Sequence, residues 1–235
     1  MATTSSRRGT ASTASAKRPR QRELAAQSTQ ESILRAATKV FAKHGFAGGR
    51  IEQISKAANS HDRMIYYYFG SKEELFIAVI EDAYRRFNEA ESKVVLSLED
   101  PVEDMKTIVR FMWNYYQQHP EFITLLNSEN LHRGKHISKS LRAREYSSAA
   151  ISLLDGVLAK GAASGVFRAD LRARDIYLMS AALAYFYLSN RFTLSAFLGE
   201  NLDEPEALAQ WEAFITAAVI RQVSAKVETS ETAAA

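Results

Sequence analysis

The sequence predicts an all-α fold of two helical domains, and three observations support this prediction. Apolar residues recur at i, i+3, i+4 and i+7 along most of the chain, which is typical of helices with one face turned to a core. The 235 residues include only 4 Pro and 10 Gly, too few for an all-β fold with its many turns. No segment shows a convincing strand pattern or an internal repeat.

The first 26 residues are predicted to be a disordered basic arm. They are polar and of low complexity, so they cannot bury enough apolar area to fold. The basic side chains of this arm are Arg7, Arg8, Lys17, Arg18, Arg20 and Arg22. Such an arm could lie along phosphates or enter a minor groove, and a solubilising tail fits the composition equally well.

Residues 27–87 are predicted to form the first helical domain. The expected helices cover about Thr29–Gly45, Ile51–Ala58, Asp62–Phe69 and Lys72–Lys93. The inward faces of the first two are Ile33, Leu34, Ala37, Val40 and Phe41, then Ile51, Ile54, Ala57 and Ala58. Gly45 ends the first helix as a C′ glycine. Asn59 tolerates the left-handed conformation of a tight corner, and Ser71 with Glu74 forms a capping box.

Residues 88–227 are predicted to form a larger helical domain, followed by a polar tail over 228–235. Pro101 and Pro120 begin two of its helices, and Gly165 ends a third. The predicted helices cover about 101–118, 120–130, 138–164, 175–197 and 206–226. The helix over 175–197 is apolar on nearly every side, which indicates burial or an interface.

Charge and composition narrow the possible functions. Residues 1–70 carry 12 Lys/Arg against 4 Asp/Glu, whereas residues 71–235 carry 18 against 23. One end is therefore suited to a polyanion. The chain has no cysteine, no Gly-rich phosphate loop and no Gly-x-Ser-x-Gly motif, so an enzyme is not predicted and no cofactor is expected. The lack of an apolar leader and of any run of about 18 apolar residues favours a cytoplasmic protein.

Residues 50–69 have the pattern of a helix-turn-helix motif, in which the second helix enters the major groove of DNA. Arg63 can donate a bidentate pair to guanine, and His61 can bond base edges or phosphate. Tyr66 and Tyr67 offer hydroxyls to phosphates and flat faces to thymine methyls. Lys72, in the first turn of the next helix, suits a phosphate. The candidate DNA-binding residues are Arg50, Ser60, His61, Asp62, Arg63, Tyr66, Tyr67 and Lys72.

These residues lie in a stretch that resembles the DNA-binding domain of TetR-family transcriptional regulators. The resemblance is carried by "ILRAATKVFAKHGF" and "IEQISKAANSHDRMIYYYFGSKEELF". It implies a homodimer with two such domains on a palindromic operator. It also implies that Tyr66 and Lys72 contact phosphate, and that His61, Asp62 and Arg63 read bases.

The sequence departs from the family pattern at two places, and Asp62 needs an explanation of its own. Gly49-Arg50 stands where Thr or Ser often caps the second helix, which weakens the cap but brings Arg50 within reach of a phosphate. Asn59 replaces the usual Gly of the turn. Asp62 repels phosphate, so it either reads a cytosine amino group or caps the recognition helix, and the cap is the favoured reading.

The second domain resembles the ligand-binding and dimerisation domain of the same family. The segments "NSENLHRGKHI", "GVFRADL" and "YFYLSNRFTLS" look like a subgroup that regulates aromatic and N-heteroaromatic catabolism. This implies a small aromatic or heteroaromatic effector, for instance an aromatic acid, bound within the helical bundle. The candidate ligand-binding residues are Trp113, Tyr116, Phe122, Asn127, Asn130, His132, Tyr185, Phe186, Asn190 and Arg191.

Two of these candidates have competing interpretations. Arg191, in an otherwise apolar helix, could pair with a ligand carboxylate, but a salt bridge within the chain or across a dimer interface, for instance with Asp175 or Glu212, is favoured. His132 and His136 lie four residues apart near Glu129 and could hold zinc on a continuous helix. Gly134 interrupts that spacing, and no metal site is predicted.

The sequence therefore predicts a ligand-responsive DNA-binding regulator, most simply a repressor released by its effector. Its last two long helices are expected to pair across a two-fold axis as a four-helix bundle. The alternative is a helical adaptor whose basic arm binds polyanions without sequence preference, or a membrane or protein partner.

Overall fold

The structure, a computed structural model, describes residues 13–97, 99–142 and 148–225, with side chains over 23–97, 99–142 and 151–225. The described residues form nine α-helices and one short 3₁₀ turn, Ile137–Lys139. The helices are α1 Thr13–Gly48, α2 Ile51–Ala57, α3 Asp62–Phe69, α4 Lys72–Glu91, α5 Pro101–Gln118, α6 Pro120–Leu131, α7 Ser148–Ala163, α8 Ala173–Leu198 and α9 Pro205–Val223. The predicted all-α fold is confirmed. Within these residues no helix is both long and apolar enough to cross a membrane.

The chain divides into two compact units, the first extending to Val79 and the second beginning at Ile80. The division falls inside α4, earlier than the boundary predicted after residue 87. In the N-terminal unit, α1, α2 and α3 pack around a core of completely buried side chains. These are Ile33, Ala37, Phe41, Ile54, Ile65, Leu75 and Phe76. The predicted inward faces of α1 and α2 are largely confirmed, but Ala57 is exposed.

Two glycines shape the exit from α1. Gly45 was predicted to end the first helix. It instead forms a kink, with φ 66° and ψ 179°, and the helix continues for one more turn. At Gly49, a Cβ atom would lie 2.6 Å from the ring of Phe41, so only glycine allows the chain to pass that close to the core.

The first helix begins earlier than its apolar pattern predicts. Residues 13–26, predicted to be disordered, are helical, while residues 1–12 lie outside the described part of the chain. Of the side chains in this extension the structure describes those of residues 23–26, and most of them are exposed. Over residues 20–26, after Pro19, the reason is local: Ala, Arg, Gln, Glu and Leu are strong helix formers, and the low apolar content that predicts disorder does not oppose helix formation.

The C-terminal unit surrounds its own core, where α5 packs against α7, α8 and α9. The predicted helix over 138–164 is wrong at its start. Ser140 is extended, with φ −70° and ψ 127°. Its hydroxyl accepts from the backbone N–H of Arg142 at 3.1 Å and contacts Glu81. A serine that binds its own backbone competes with the helix. The described part of α7 covers Ser148–Ala163.

Candidate nucleic-acid interface and small-molecule cleft

The turn between α2 and α3 takes the predicted conformation. Asn59 has φ 50°, the left-handed region that asparagine tolerates. The N–H of Ser60 then bonds the carbonyl of Ser55 at 2.9 Å, which closes the corner. The α3 helix begins at Asp62 with His61 as its N-cap residue.

The α3 helix presents nearly all of its length to solvent. Ile65 is its only buried side chain and packs completely into the core, so the other side chains lie outward or at the edge. Tyr66 is 51% exposed and Tyr67 77% exposed. Arg63 and His61 are also exposed. Large aromatic rings left open on a short helix, next to an arginine and a histidine, form a surface suited to DNA.

One predicted cap in this region needs correction, and the cap predicted to be weak at Arg50 has a plain physical cause. Asp62 is the first residue of α3 and His61 is its N-cap, so the favoured cap role for Asp62 is wrong in position. The Asp62 carboxylate instead lies in the first turn, where the helix dipole favours it. The Arg50 side chain does not cap α2, since it has no acceptor; Gln53 Oε1 accepts from the Arg50 N–H at 3.1 Å instead.

Lys72 is less free than its sequence position suggests. Its Nζ lies 3.4 Å from the carbonyl oxygen of Ala47 and 4.8 Å from the centre of the Phe46 ring. Partial burial lowers the pKa of Lys72, and the negative charge of Glu52 opposes that shift. The ammonium group thus lies at the first turn of α4, held against the end of α1.

In the C-terminal unit, a cleft of about 370 Å³ brings together three of the ten predicted ligand residues, Tyr116, Asn127 and Arg191. Its apolar walls are Pro120, Ile123, Leu188, Phe192 and Leu208, and its other polar groups are Gln117, Thr124, Ser189 and Asp203. Small-molecule sites combine apolar walls with polar groups that orient the ligand, and this cleft contains both.

The remaining predicted ligand residues lie elsewhere. Tyr185 borders the cleft, since its hydroxyl donates to Asn127 Oδ1. Trp113 and Phe122 are core residues, and Asn130 and Phe186 are exposed. Asn190 donates to the carbonyl of Phe186 at 2.8 Å, one turn back on α8.

The predicted salt bridge of Arg191 exists, with a different partner. Nε of Arg191 donates to Asp203 Oδ1 at 2.6 Å, whereas Asp175 pairs with Arg172. Asp203 lies across the loop that joins α8 to α9, and no local pattern in the sequence marks it. For that reason Asp203 was not among the predicted ligand residues. Gln117 and Ser189, which line the same cleft, were not predicted either.

The polar wall of the cleft is a small network. Asn127 Nδ2 donates to Ser189 Oγ at 3.0 Å, and Asn127 Oδ1 accepts from Tyr185. This bonding fixes the orientation of the amide and joins α6 to α8.

The cluster considered for zinc has another role. The α6 helix ends at Leu131, so His132 and His136 do not share one helix face. Glu129 Oε2 lies 2.7 Å from His136 Nδ1, and the ring centres of His132 and His136 are 5.2 Å apart. Glu129 also accepts the backbone N–H groups of His136 and Ile137, so its carboxylate holds the turn after α6.

Two buried polar atoms have no hydrogen-bond partner among the described residues: Glu91 Oε2 and Trp113 Nε1. Burial raises the pKa of Glu91 to about 7. A carboxyl group in this position keeps its proton at mildly acidic pH, because the charged form is poorly solvated.

Two protein-family models match this chain, one in each of its two units. Residues 33–79 match the family of bacterial regulatory proteins of the tetR type. Residues 101–219 match the tetracyclin repressor-like C-terminal domain. The two matches fall on the N-terminal helices and on the unit that contains the cleft.

Two similar proteins are named as transcriptional repressors. The chain is 52% identical to the HTH-type transcriptional repressor NicS of Pseudomonas putida over 196 residues, which is 83% of this chain and 92% of that protein. It is 33% identical over 110 residues to the HTH-type transcriptional repressor SCO4008 of Streptomyces coelicolor, covering 46% of this chain and 53% of that one.

A solved structure shares the fold. A TetR-family transcriptional regulator from Haemophilus influenzae superposes with a TM-score of 0.61 at 18% identity, covering 86% of this chain and 99% of the other. At that identity the likeness concerns the fold alone. The sequence matches and the helix-turn-helix geometry together show that the chain belongs to the TetR family of DNA-binding transcriptional regulators.

Proposed function

We propose that the protein is a homodimeric repressor that binds a palindromic operator and releases it when a small aromatic or heteroaromatic effector binds. The observation that carries the DNA-binding half is the exposed face of α3, where Arg63, Tyr66 and Tyr67 lie open around a single buried anchor, Ile65. The relatives named above are repressors, which supports repression.

Within this proposal the exposed residues divide the work. Arg63 and His61 read base edges in the major groove, with Ser60 and Asp62 beside them. Tyr66, Tyr67, Arg50 and Lys72 hold the phosphates on either side. The contact with phosphate dominates affinity and the contact with bases sets specificity, so the two groups should respond differently to mutation.

The last two helices support a dimer. Leu178 and Phe186 on α8 are 50% and 56% exposed, and they lie on one face of the helix. Phe214 on α9 is 54% exposed and its ring stacks on Trp211 at 5.1 Å. Exposed apolar side chains on two long helices suit a self-complementary four-helix interface. A two-fold dimer would place the recognition helices about one DNA turn apart, ~34 Å.

The cleft supports the effector-binding half. Its volume of about 370 Å³ lies within the range of small-molecule sites. The aromatic side chains Tyr116 and Phe192 and the guanidinium of Arg191 suit a flat ring with a polar substituent. The protein acts by binding rather than by catalysis, and we place it in the cytoplasm with its DNA.

The test is fluorescence anisotropy with DNA from upstream of the protein's own coding region, against a scrambled duplex at about 150 mM salt, where non-specific binding is weak. We expect a preference of about a thousandfold or more. Binding of both duplexes with equal affinity, followed by failure to select specific genomic fragments, would favour the adaptor interpretation instead. The same assay then screens aromatic compounds for release of the operator.

A further inference from the structure

The ion pair between Arg191 and Asp203 forms part of the wall of the cleft. The guanidinium is held firmly: it donates to the carbonyl of Leu188 and lies over the Phe192 ring, 4.4 Å from its centre. Arg191 is therefore a fixed cation beside an aromatic ring at the edge of a cavity.

The two partners differ in exposure. The side chain of Arg191 is 19% exposed and that of Asp203 is 49% exposed. The carboxylate can therefore move into water at little cost, whereas the guanidinium needs an anion or an acceptor where it stands. Exchange of one carboxylate for another at Arg191 keeps the cation paired.

Asp203 belongs to the loop that connects α8 to α9, and its ion pair is one of the contacts that tie this loop to α8. Tyr187 donates its hydroxyl to the carbonyl of Leu202 at 2.9 Å, and the N–H of Leu202 donates to Ser195 Oγ at 3.0 Å. These two contacts involve the backbone of the loop. Of these three contacts, only the ion pair has a carboxylate as its acceptor, so a ligand carboxylate can replace that acceptor like for like.

We propose that the cleft binds a small aromatic carboxylate through Arg191, and that the ligand carboxylate takes the place of Asp203 and frees the start of α9. This rests on the proposed ligand-responsive function and adds the ligand's charge and the route of the signal. The ring of the ligand lies against the apolar walls near Tyr116 and Leu188. The bound anion also repels Glu200 and Asp203, whose charges already act on the neighbouring Tyr187.

Displacement of Asp203 also affects the proposed dimer surface on α8 and α9. Asp203 lies directly before Glu204, the N-cap residue of α9, and Phe214 lies farther along the same helix. A looser start of α9 changes the packing of α8 against α9, and with it the geometry of a two-fold interface built from them. Ligand and operator thus favour different arrangements of the same helices.

The test uses full-length protein and matched pairs of probes: benzoate with benzamide, and each pyridinecarboxylate with its carboxamide. Calorimetry should show wild-type protein binding a carboxylate roughly tenfold or more tightly than its neutral amide. Asp203→Asn removes the competing anion and should tighten binding of the carboxylate roughly tenfold, while Arg191→Gln should weaken it at least as much. The control Asp170→Asn, which breaks the exposed pair with Arg168 outside the cleft, should change nothing.

A double-mutant cycle distinguishes a specific effect of the Arg191–Asp203 pair from a general loss of folding. In the Arg191→Gln background, Asp203→Asn should no longer alter carboxylate affinity. Hydrogen exchange over residues 199–208 should rise in Asp203→Asn protein without ligand, and in wild-type protein on adding the carboxylate. A carboxylate that binds no better than its amide, or Asp203→Asn protein that binds it no more tightly, overturns the proposal. Specific operator binding in the same preparations keeps the proposed function intact in that case, and its loss in wild-type protein would instead overturn the function.

Discussion

Glu129 binds His136 at two points: Oε2 lies 2.7 Å from the imidazole Nδ1, and Oε1 lies 2.7 Å from the backbone nitrogen of the same residue. Because a carboxylate only accepts hydrogen bonds, Nδ1 carries the proton. The two side chains are 5% and 1% exposed, so the pair is shielded from water. One carboxylate thereby closes the turn that follows α6.

The first prediction concerns this pair. Glu129→Gln leaves buried donors poorly matched and should lower the free energy of unfolding by about 3 kcal/mol. Urea unfolding measures the change. His119 and Glu121 form a similar but exposed pair, 41% and 40% accessible, so Glu121→Gln should cost no more than about 0.5 kcal/mol. Equal costs for both substitutions would contradict the role assigned to Glu129.

The second prediction concerns the buried carboxyl of Glu91, whose pKa burial raises from 4.5 to about 7. The folded protein then holds a proton that the unfolded chain has lost between about pH 4.5 and pH 7, so the contribution of this group to stability falls as pH rises through that window. Glu91→Gln removes the penalty and should stabilise the protein by about 1–3 kcal/mol at pH 8, with little effect at pH 4.

Thermal unfolding at the two pH values measures this difference. Glu206→Gln, on the exposed first turn of α9, serves as the control and should not stabilise the protein at pH 8. A Glu91→Gln variant less stable than wild type at pH 8 would show that the carboxylate has a partner that the described residues do not include.

These contacts mark the limit of sequence-based prediction for this chain. The bounds of α3 were predictable to the residue, since Asn59, Gly70 and Ser71 act through their own backbone and nearest neighbours. The partner of Arg191 was not, because Asp203 meets it only once the chain has turned between α8 and α9. Likewise the Ser140 hydroxyl, which accepts from the nearby N–H of Arg142, also contacts Glu81 across a long stretch of sequence, and the sequence near Ser140 does not indicate that second contact.

The third prediction distinguishes a residue that contacts DNA bases from one that contacts phosphates. Arg63→Ala should cost about 1–3 kcal/mol on the operator and relax preference at one base position. Lys72→Ala should weaken all sequences alike and reduce the slope of log affinity against log salt by about 1. Anisotropy over a salt series with operator and single-base variants measures both. Unfolding must be checked for Lys72→Ala, since Lys72 also contacts Ala47 and Phe46. Identical profiles for the two variants would refute the division of roles.

The fourth prediction tests the dimer surface. A charge at Phe186 or Phe214, as in Phe186→Glu, should convert the dimer to monomer at micromolar concentration, because the new carboxylate would be buried without a partner. Light scattering measures the mass. Val95 is 87% exposed in the connection between α4 and α5, so Val95→Glu is the matched control and should stay dimeric. A wild-type monomer under the same conditions would remove the proposed architecture.

The last prediction concerns the basic N-terminus. Removing residues 1–26 takes away Arg7, Arg8, Lys17, Arg18, Arg20 and Arg22, together with the first part of α1 from Thr13. If these charges lie along phosphates, operator affinity should fall mainly at low salt, where counterion release contributes most. Substituting the six residues with Gln in the full chain separates lost charge from lost helix. Anisotropy at low and high salt should show the same loss for both changes, whereas unchanged affinity would leave the segment as a solubilising tail.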